Sequence, residues 1–452
     1  MNIQPANLEA RDRPGDAAAQ LISQYKALAS ELPGSDDDHL QERREQAVTA
    51  FAARGLPNRR VEEWKYTDLR AAMREAYAPA AANATAGASL VASALGELAA
   101  VEAAARLVFV DGRLRADLSS LGTLPSGVEL LGLAEALARP RLWVSSGIGG
   151  AKTADDDVVS QLNLALAADG VALRVGKGVI LDAPVHFIHI AASDRPASSS
   201  LRNVIVVEDG AQVRLIETFV SGADLASQIS SVTEIAVADG GRLQHYTVVA
   251  ENSATQHLAS THVRLGGGAD YLAVQFAAGN SLSRLQTFVT YQGEGTRAHF
   301  YGCQLLRDRQ HCDMTLVIDH AAVGCESREH VKAVVDGNAQ GVFQAKVIVR
   351  PGAQKTDGRQ MAQAMLLSDT AEFDAKPELE IYADDVKCNH GATSGAIDED
   401  LLFYLRARGI PEPQARALLI QAFIGEVLDK IEHEGLRQAL EAKAAAWLLP
   451  QG

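Results

Sequence analysis

Cysteine is scarce in this chain: Cys303, Cys312, Cys325 and Cys388 are all there are, and no two of them form a CxxC pair. That excludes a disulfide framework and leaves the four as reduced thiols. Aromatic residues make up only 5%, too few for the stacked ring surfaces that hold sugars or single-stranded nucleic acid. There is no run of 18 or more apolar residues, so a membrane-spanning helix is not expected. The N-terminal stretch MNIQPANLEARDRPGD has no basic start followed by an apolar run, which argues against a secretory signal and for a cytoplasmic protein. Positive charge is also short, with 42 Lys and Arg against 57 Asp and Glu for a net charge of -15. Such a chain repels phosphate backbones and anionic lipid, so neither nucleic acid nor a membrane surface is an expected partner.

What is present describes a folded protein. Apolar residues make up 47% of 452 and charged residues 22%, enough for two or three domains or one elongated domain with appendages. Residues 16 to 54 read as two helices, the second opened by Asp36, Asp37 and Asp38 and closed at Gly55. The Ala-rich stretch 71 to 105, with Pro79 in it, reads as helix, linker or both. From about residue 165 the texture changes to short β-branched runs broken by Gly-containing turns, and it stays so for about 220 residues. The turns recur: Gly178, Gly210, Gly240, Gly268 and Gly295 are spaced by 32, 30, 28 and 27 residues, Gly352 follows 57 later as two steps, and Gly337 falls between as a half-step. Strand, tight turn and strand repeated at that length predict stacked rungs around a continuous core, a β-solenoid, in preference to a two-sheet sandwich. After residue 397 the helical period returns. Asp398 caps a first helix that ends at Gly409 before Pro411; Ile420, Phe423, Ile424, Val427, Leu428 and Ile431 mark one apolar face of a second; residues 435 to 449 form a third.

One segment has metal-ligand chemistry, EIYADDVKCNHGATSGAID at 380 to 398. If residues 386 to 390 are extended, Cys388 and His390 share a face about 6.5 to 7 Å apart. A thiolate and an imidazole suit iron or zinc, but two donors do not close a site, and the remainder must come from elsewhere. From spacing alone, a buried thiol beside a hydrogen-bonded histidine is the better account. His186 and His189 diverge on their strand, as do His311 and Cys312, and all four read as structural. SSGIGGAKT misses a phosphate loop, because Ser146 and Ala151 stand where glycines are required before Lys152. No GxSxG, HExxH or GxGxxG occurs. Adjacent Asp384 and Asp385 point to opposite faces of a strand and make a poor acid/base pair.

GLPNRRVEEWKYTDL (55 to 69), the repeated turns, and LLSDTAEFDAKPELEIYADDVKCNHGATSGAIDEDLLFYLRARGI (366 to 410) together resemble the SufB/SufD family, the scaffold subunits of the Suf iron-sulfur cluster assembly machinery. The resemblance implies a mainly β fold, a right-handed parallel β-helix flanked by helical domains, divided as 1–105, 106–390 and 391–452. It also implies a non-catalytic scaffold that pairs with a SufB-type subunit, binds a SufC-type ATPase and shares a transient iron-sulfur cluster with its partner. In the family the histidine of the CxHGAT motif is implicated in building that cluster; it falls on His390, with Cys388 beside it. Arg408, Gly409, Ile410 and Pro411 match the surface that receives SufC. ATP-driven dimerisation of two SufC subunits would move the scaffold and open the interface. Reduced flavin is implied as an electron source for the complex, with no site indicated. Edge-to-edge pairing of solenoids through main-chain hydrogen bonds carries little sequence specificity and admits either a SufB-type partner or, as a homodimer, a second copy of the chain when it is alone. SufB relatives carry a cysteine in the stretch matching Met365 to Leu367 and a glutamate at the position of His390. This chain has neither, and its first cysteine is Cys303, so it falls on the SufD side. The alternatives are a SufB-type paralogue and a secreted polysaccharide-active β-helix enzyme, the latter lacking its expected secretion signal, aromatic groove and clustered carboxylates.

Overall fold

In the computed structural model, which describes residues 16–83, 85–139, 141–150 and 157–448, two sheets face each other across a common lumen. One has ten strands and the other nine. Successive strands of the chain alternate between them from Val185–Ala191 onward, so each rung contributes one strand to each sheet and the chain winds as a β-solenoid of about 8 turns. Neighbouring rungs pair in parallel and in register, as in Arg297–Leu306 on Glu326–Val335 and Glu326–Val335 on Asp357–Leu366. Among the described residues, antiparallel pairs occur only at the first end, where Arg113–Leu114 folds back on Ala105–Val110 and Val128–Gly132 lies against Val171–Val175.

The two-residue alternation explains the lumen. Val331, Ala333 and Val335 of one sheet and Phe343, Ala345, Val347 and Val349 of the other are fully buried in one continuous cluster, each large side chain contributing roughly 1.5–3 kcal/mol. The alternate residues face outward, and helices cover much of that surface. N-terminal residues including Leu21, Tyr25, Phe51 and Trp64 pack with Leu258 and Leu282 on the outside of the nine-stranded sheet. The C-terminal helices bring Ile420, Ile424, Val427 and Leu440 onto Tyr246, Val274, Phe276 and Val334 outside the ten-stranded sheet.

The solenoid's corners form a column. Gly178, Gly210, Gly240, Gly268, Gly295 and Gly324 all have φ between 62° and 69°, the left-handed region that glycine enters without a Cβ penalty. Each donates its N–H to the carbonyl of the next turn. The next member is not Gly352 but Lys355, with φ 64° and its N–H on the Asp385 carbonyl. The sequence spacing had counted to the wrong residue of that turn because a lysine holds the left-handed place. Gly337 belongs to the opposite corner, stacked on Asp308.

The helices end as their caps dictate. Asp37 caps Asp38–Arg54, which stops at Gly55, and Asp398 caps Glu399–Ala407 through the Asp400 and Leu401 amides. A further helix, Val158–Leu166, is buried on every side. Its cap, Asp157, also accepts hydrogen bonds from Ser260 and Gln286 of the solenoid, fastening helix to sheet. The Ala151–Lys152 end of the rejected phosphate-loop stretch lies outside the described residues, as does Leu449.

The 55 to 69 motif earns its sequence here. Arg284 lies under the Trp64 ring at 3.9 Å, donates to the Glu63 carbonyl and pairs with Asp313. Thr67 bonds both Asp313 and His311. The segment is thereby sealed onto the solenoid wall by a buried, charge-assisted network.

Candidate functional site

The far end of the solenoid is where Cys388 and His390 stand. They belong to the strand Lys387–Gly395, the last of the ten-stranded sheet, which pairs on one side only, with Asp357–Leu366. The last strand of the nine-stranded sheet, Glu372–Ile381, also has one neighbour. Two strand edges therefore end the solenoid together, and Pro377 in the second lacks a backbone donor.

Cys388 and His390 occupy the lumen-facing parity of their strand. In register below Cys388 lie Gly358 and Ser327; below His390 lie Gln360 and Glu329. No rung lies above them, so His390 is exposed and Cys388 half-buried, its sulfur packed against the lumen cluster. The glycine at 358 leaves room: a Cβ there would lie 3.7 Å from Cys388 Sγ and 3.4 Å from Ser327 Oγ.

Burial pushes the Cys388 thiol up from its ordinary value; Asp357 and Glu329 add to the rise and the Gly358 backbone N–H opposes it. The thiol is therefore protonated at neutral pH and ligates only as a metal displaces the proton. The other three thiols are buried. Cys303 is pushed up to about 12 by burial alone, and Cys312 and Cys325 are also raised by burial. Of the four, Cys388 is the one within reach of a partner. Among the described residues no group of three or more His, Cys, Asp or Glu is arranged to hold a metal ion. Cys388 and His390 thus offer two donors of an incomplete set.

Sequence reasoning missed the two residues beneath. Glu329 and Gln360 are each 2% exposed, and neither the Glu329 oxygens nor the Gln360 amide atoms have a hydrogen-bond partner. The residue below Glu329 in register is Phe300. Burial pushes the Glu329 carboxyl up to about 8, with Ser327 and Arg328 opposing. Unpartnered buried polar groups cost roughly 1–3 kcal/mol each. Nothing in the local sequence marks them; the available signal was spacing, with Gln360 30 residues before His390 and Glu329 31 residues before Gln360, one rung each.

The other histidines have structural surroundings. His189 is stacked between Phe109 and Phe219 in the lumen, while His186 on the opposite face meets Thr218. His311 bonds Thr67 and Gln340.

Arg408, Gly409, Ile410 and Pro411 make the bend between the helices Glu399–Ala407 and Glu412–Leu428. Arg408 lies over the Tyr404 ring at 4.8 Å, Gly409 has φ 86°, Ile410 packs against the C-terminal core, and Pro411 opens the second helix. Beside the bend, Leu401, Phe403 and Tyr404 are exposed, Phe403 to 72%. This apolar face was not singled out in the sequence, where the helix's caps drew the attention.

Comparison with known proteins agrees with the fold. Residues 189–423 match the family described as SUF system FeS cluster assembly, SufBD core domain, and residues 16–187 match the SufBD protein N-terminal region. An iron-sulfur cluster assembly SufBD family protein of Synechocystis is 32% identical over 421 residues, 90% of this chain and 91% of its own length. The iron-sulfur cluster assembly protein SufD of Escherichia coli is 31% identical over 86% of this chain and 88% of its own. SufD of Bacillus subtilis is 26% identical over 63% and 66%. A chain matched along both halves by this family, and by a SufD over most of its length, belongs to the SufB/SufD family of Suf-system iron-sulfur cluster assembly proteins, on its SufD-like side.

Proposed function

We propose that this chain is a non-catalytic scaffold that pairs with a SufB-type subunit through the open end of its solenoid, so that a nascent iron-sulfur cluster is built against Cys388 and His390. The observation that carries this reading is the coincidence of two features in one place: two donors on the lumen-facing side of the last strand, and two strand edges with a neighbour on one side only. Edge strands pair readily with another chain, and a partner docked there would bring the ligands that the pair lacks. A second copy of this chain could use the same edges when no SufB-type partner is present.

The bend at Arg408, Gly409, Ile410 and Pro411, with exposed Phe403 and Tyr404 beside it, is proposed to receive a SufC-type ATPase. An exposed apolar helix face next to a cationic bend fits a protein partner. The cluster is cargo shared with the partner, not a resident group. Reduced flavin as electron donor is assigned to the complex as a whole, the sequence carrying no nucleotide fingerprint that says where it would bind. The chain would act in the cytoplasm.

The test is anaerobic co-expression with SufB-type and SufC-type subunits, comparing wild type with His390→Ala by visible absorbance and by iron and sulfide per complex. Equal recovery of complex with loss of cluster is expected. Equal cluster in both would leave the chain as scaffold alone and remove His390 from the chemistry.

A further inference from the structure

The column beneath His390 has a polar chain with no present use. Gln360 is its in-register neighbour one rung down and Glu329 the next, at about 4.8 Å per rung. Both are 98% buried, between Phe300 below and the open end of the solenoid above. The Gln360 amide has no partner, and the Glu329 carboxyl has only the weak influence of the Ser327 hydroxyl and no hydrogen bond of good geometry. A metal-bound imidazole ordinarily donates its other ring N–H to an oxygen that fixes its orientation, and the oxygen nearest in register to His390 on the lumen side is that of Gln360.

We propose that Gln360 and Glu329 are positioning residues for His390. When one ring nitrogen of His390 takes iron of the nascent cluster, its other N–H donates to the Gln360 side-chain oxygen, and the Gln360 amide donates in turn to the Glu329 carboxyl. The proposal rests on the reading of His390 as a cluster contact, and it adds two residues from this chain's interior, out of reach of any docked partner.

A structural role and this role predict opposite signs. Gln360→Met fills the same space without polar atoms, so the chain's melting temperature should stay the same or rise. In the complex with SufB-type and SufC-type subunits, the lifetime of the cluster against a chelator should fall about tenfold. Glu329→Gln keeps an acceptor oxygen and should hold the lifetime within about twofold, while Glu329→Leu should shorten it as Gln360→Met does. A wild-type lifetime in Gln360→Met, or a shortened lifetime accompanied by a lower melting temperature, overturns the proposal. His390→Ala run alongside separates the two levels. If it too keeps the cluster, the reading of His390 fails; if it alone loses the cluster, only the relay fails.

Discussion

The Thr67 hydroxyl donates to Asp313 at 2.5 Å, although 246 residues separate the two. Asp313 is fully buried and also takes Arg284, so the contact ties the N-terminal segment to the middle of the solenoid. Thr67→Val removes the donor and leaves a buried carboxylate and His311 each short of a partner. The expected loss is about 1–3 kcal/mol in urea unfolding. A change below about 0.5 kcal/mol would show that water or Arg284 replaces the contact.

His390 and Glu329 should part company in stability measurements. His390 is exposed, so His390→Ala should shift unfolding of the isolated chain by less than about 0.5 kcal/mol. A larger loss would mean that the cluster-negative phenotype of that variant reflects folding.

The pH dependence follows from groups whose charge the fold resists. Glu329 is raised from 4.5 to about 8, so between those values the unfolded chain releases a proton that the folded chain retains. Stability from this one group therefore declines as pH rises from about 4.5 to 8, by about 1.4 kcal/mol per unit at the steepest. Glu329→Gln should gain on wild type steadily over that window in urea titrations. A constant difference between pH 5 and pH 8 would refute the assignment. On the acid side, burial lowers His186 to about 3 and His262 and His320 to about 4. The unfolded chain takes up these protons below about 6.5 and the folded chain refuses them, so stability should also fall as pH drops from there.

Lys355 takes the left-handed corner that glycine holds in six rungs before it. Its ion pair with Asp385 is exposed on both sides and worth little. Lys355→Gly should relieve the backbone and stabilise the chain by roughly 0.5–1 kcal/mol. Destabilisation would show that the Asp385 contact outweighs the strain.

At the C-terminal bend, Arg408→Glu should cut co-purification of a SufC-type ATPase at least about tenfold, at unchanged melting temperature, because the guanidinium rests on Tyr404 at the surface and anchors no core. Undiminished capture would place the ATPase elsewhere.

The alternation of strand side chains made Cys388 and His390 legible as a pair, since two residues apart on a strand means one face whatever the fold. Glu329 and Gln360 were not legible, because column membership needs the rung length, and the rungs vary by several residues. Lys355 escaped for a related reason: the turn contains a glycine three residues earlier, and only backbone geometry tells which position carries the positive φ. The helix Val158–Leu166 is buried on every side, with Ser160 and Asn163 bonded to the sheet and not to water; its burial between the N-terminal helices and the sheet removes the apolar-against-solvent contrast by which a surface helix is found. The unequal exposure of Cys388 and His390 could not be read either, since it comes from their standing on the last rung.

The connection from the last strand to the helix Glu399–Ala407 is a short tether. Gly395 and Glu399 are joined by three residues, a span of at most about 14 Å, and the middle one, Ile397, is buried in the C-terminal core. There is little slack in it. A pull on the helix pair at the bend must either draw Ile397 out of its socket or load the strand that carries His390, which is held from one side only. The strand that is paired on one side only and the helices attached to it are thus consecutive in the chain, so any force applied to the C-terminal helices would reach the rung that carries His390 through three residues.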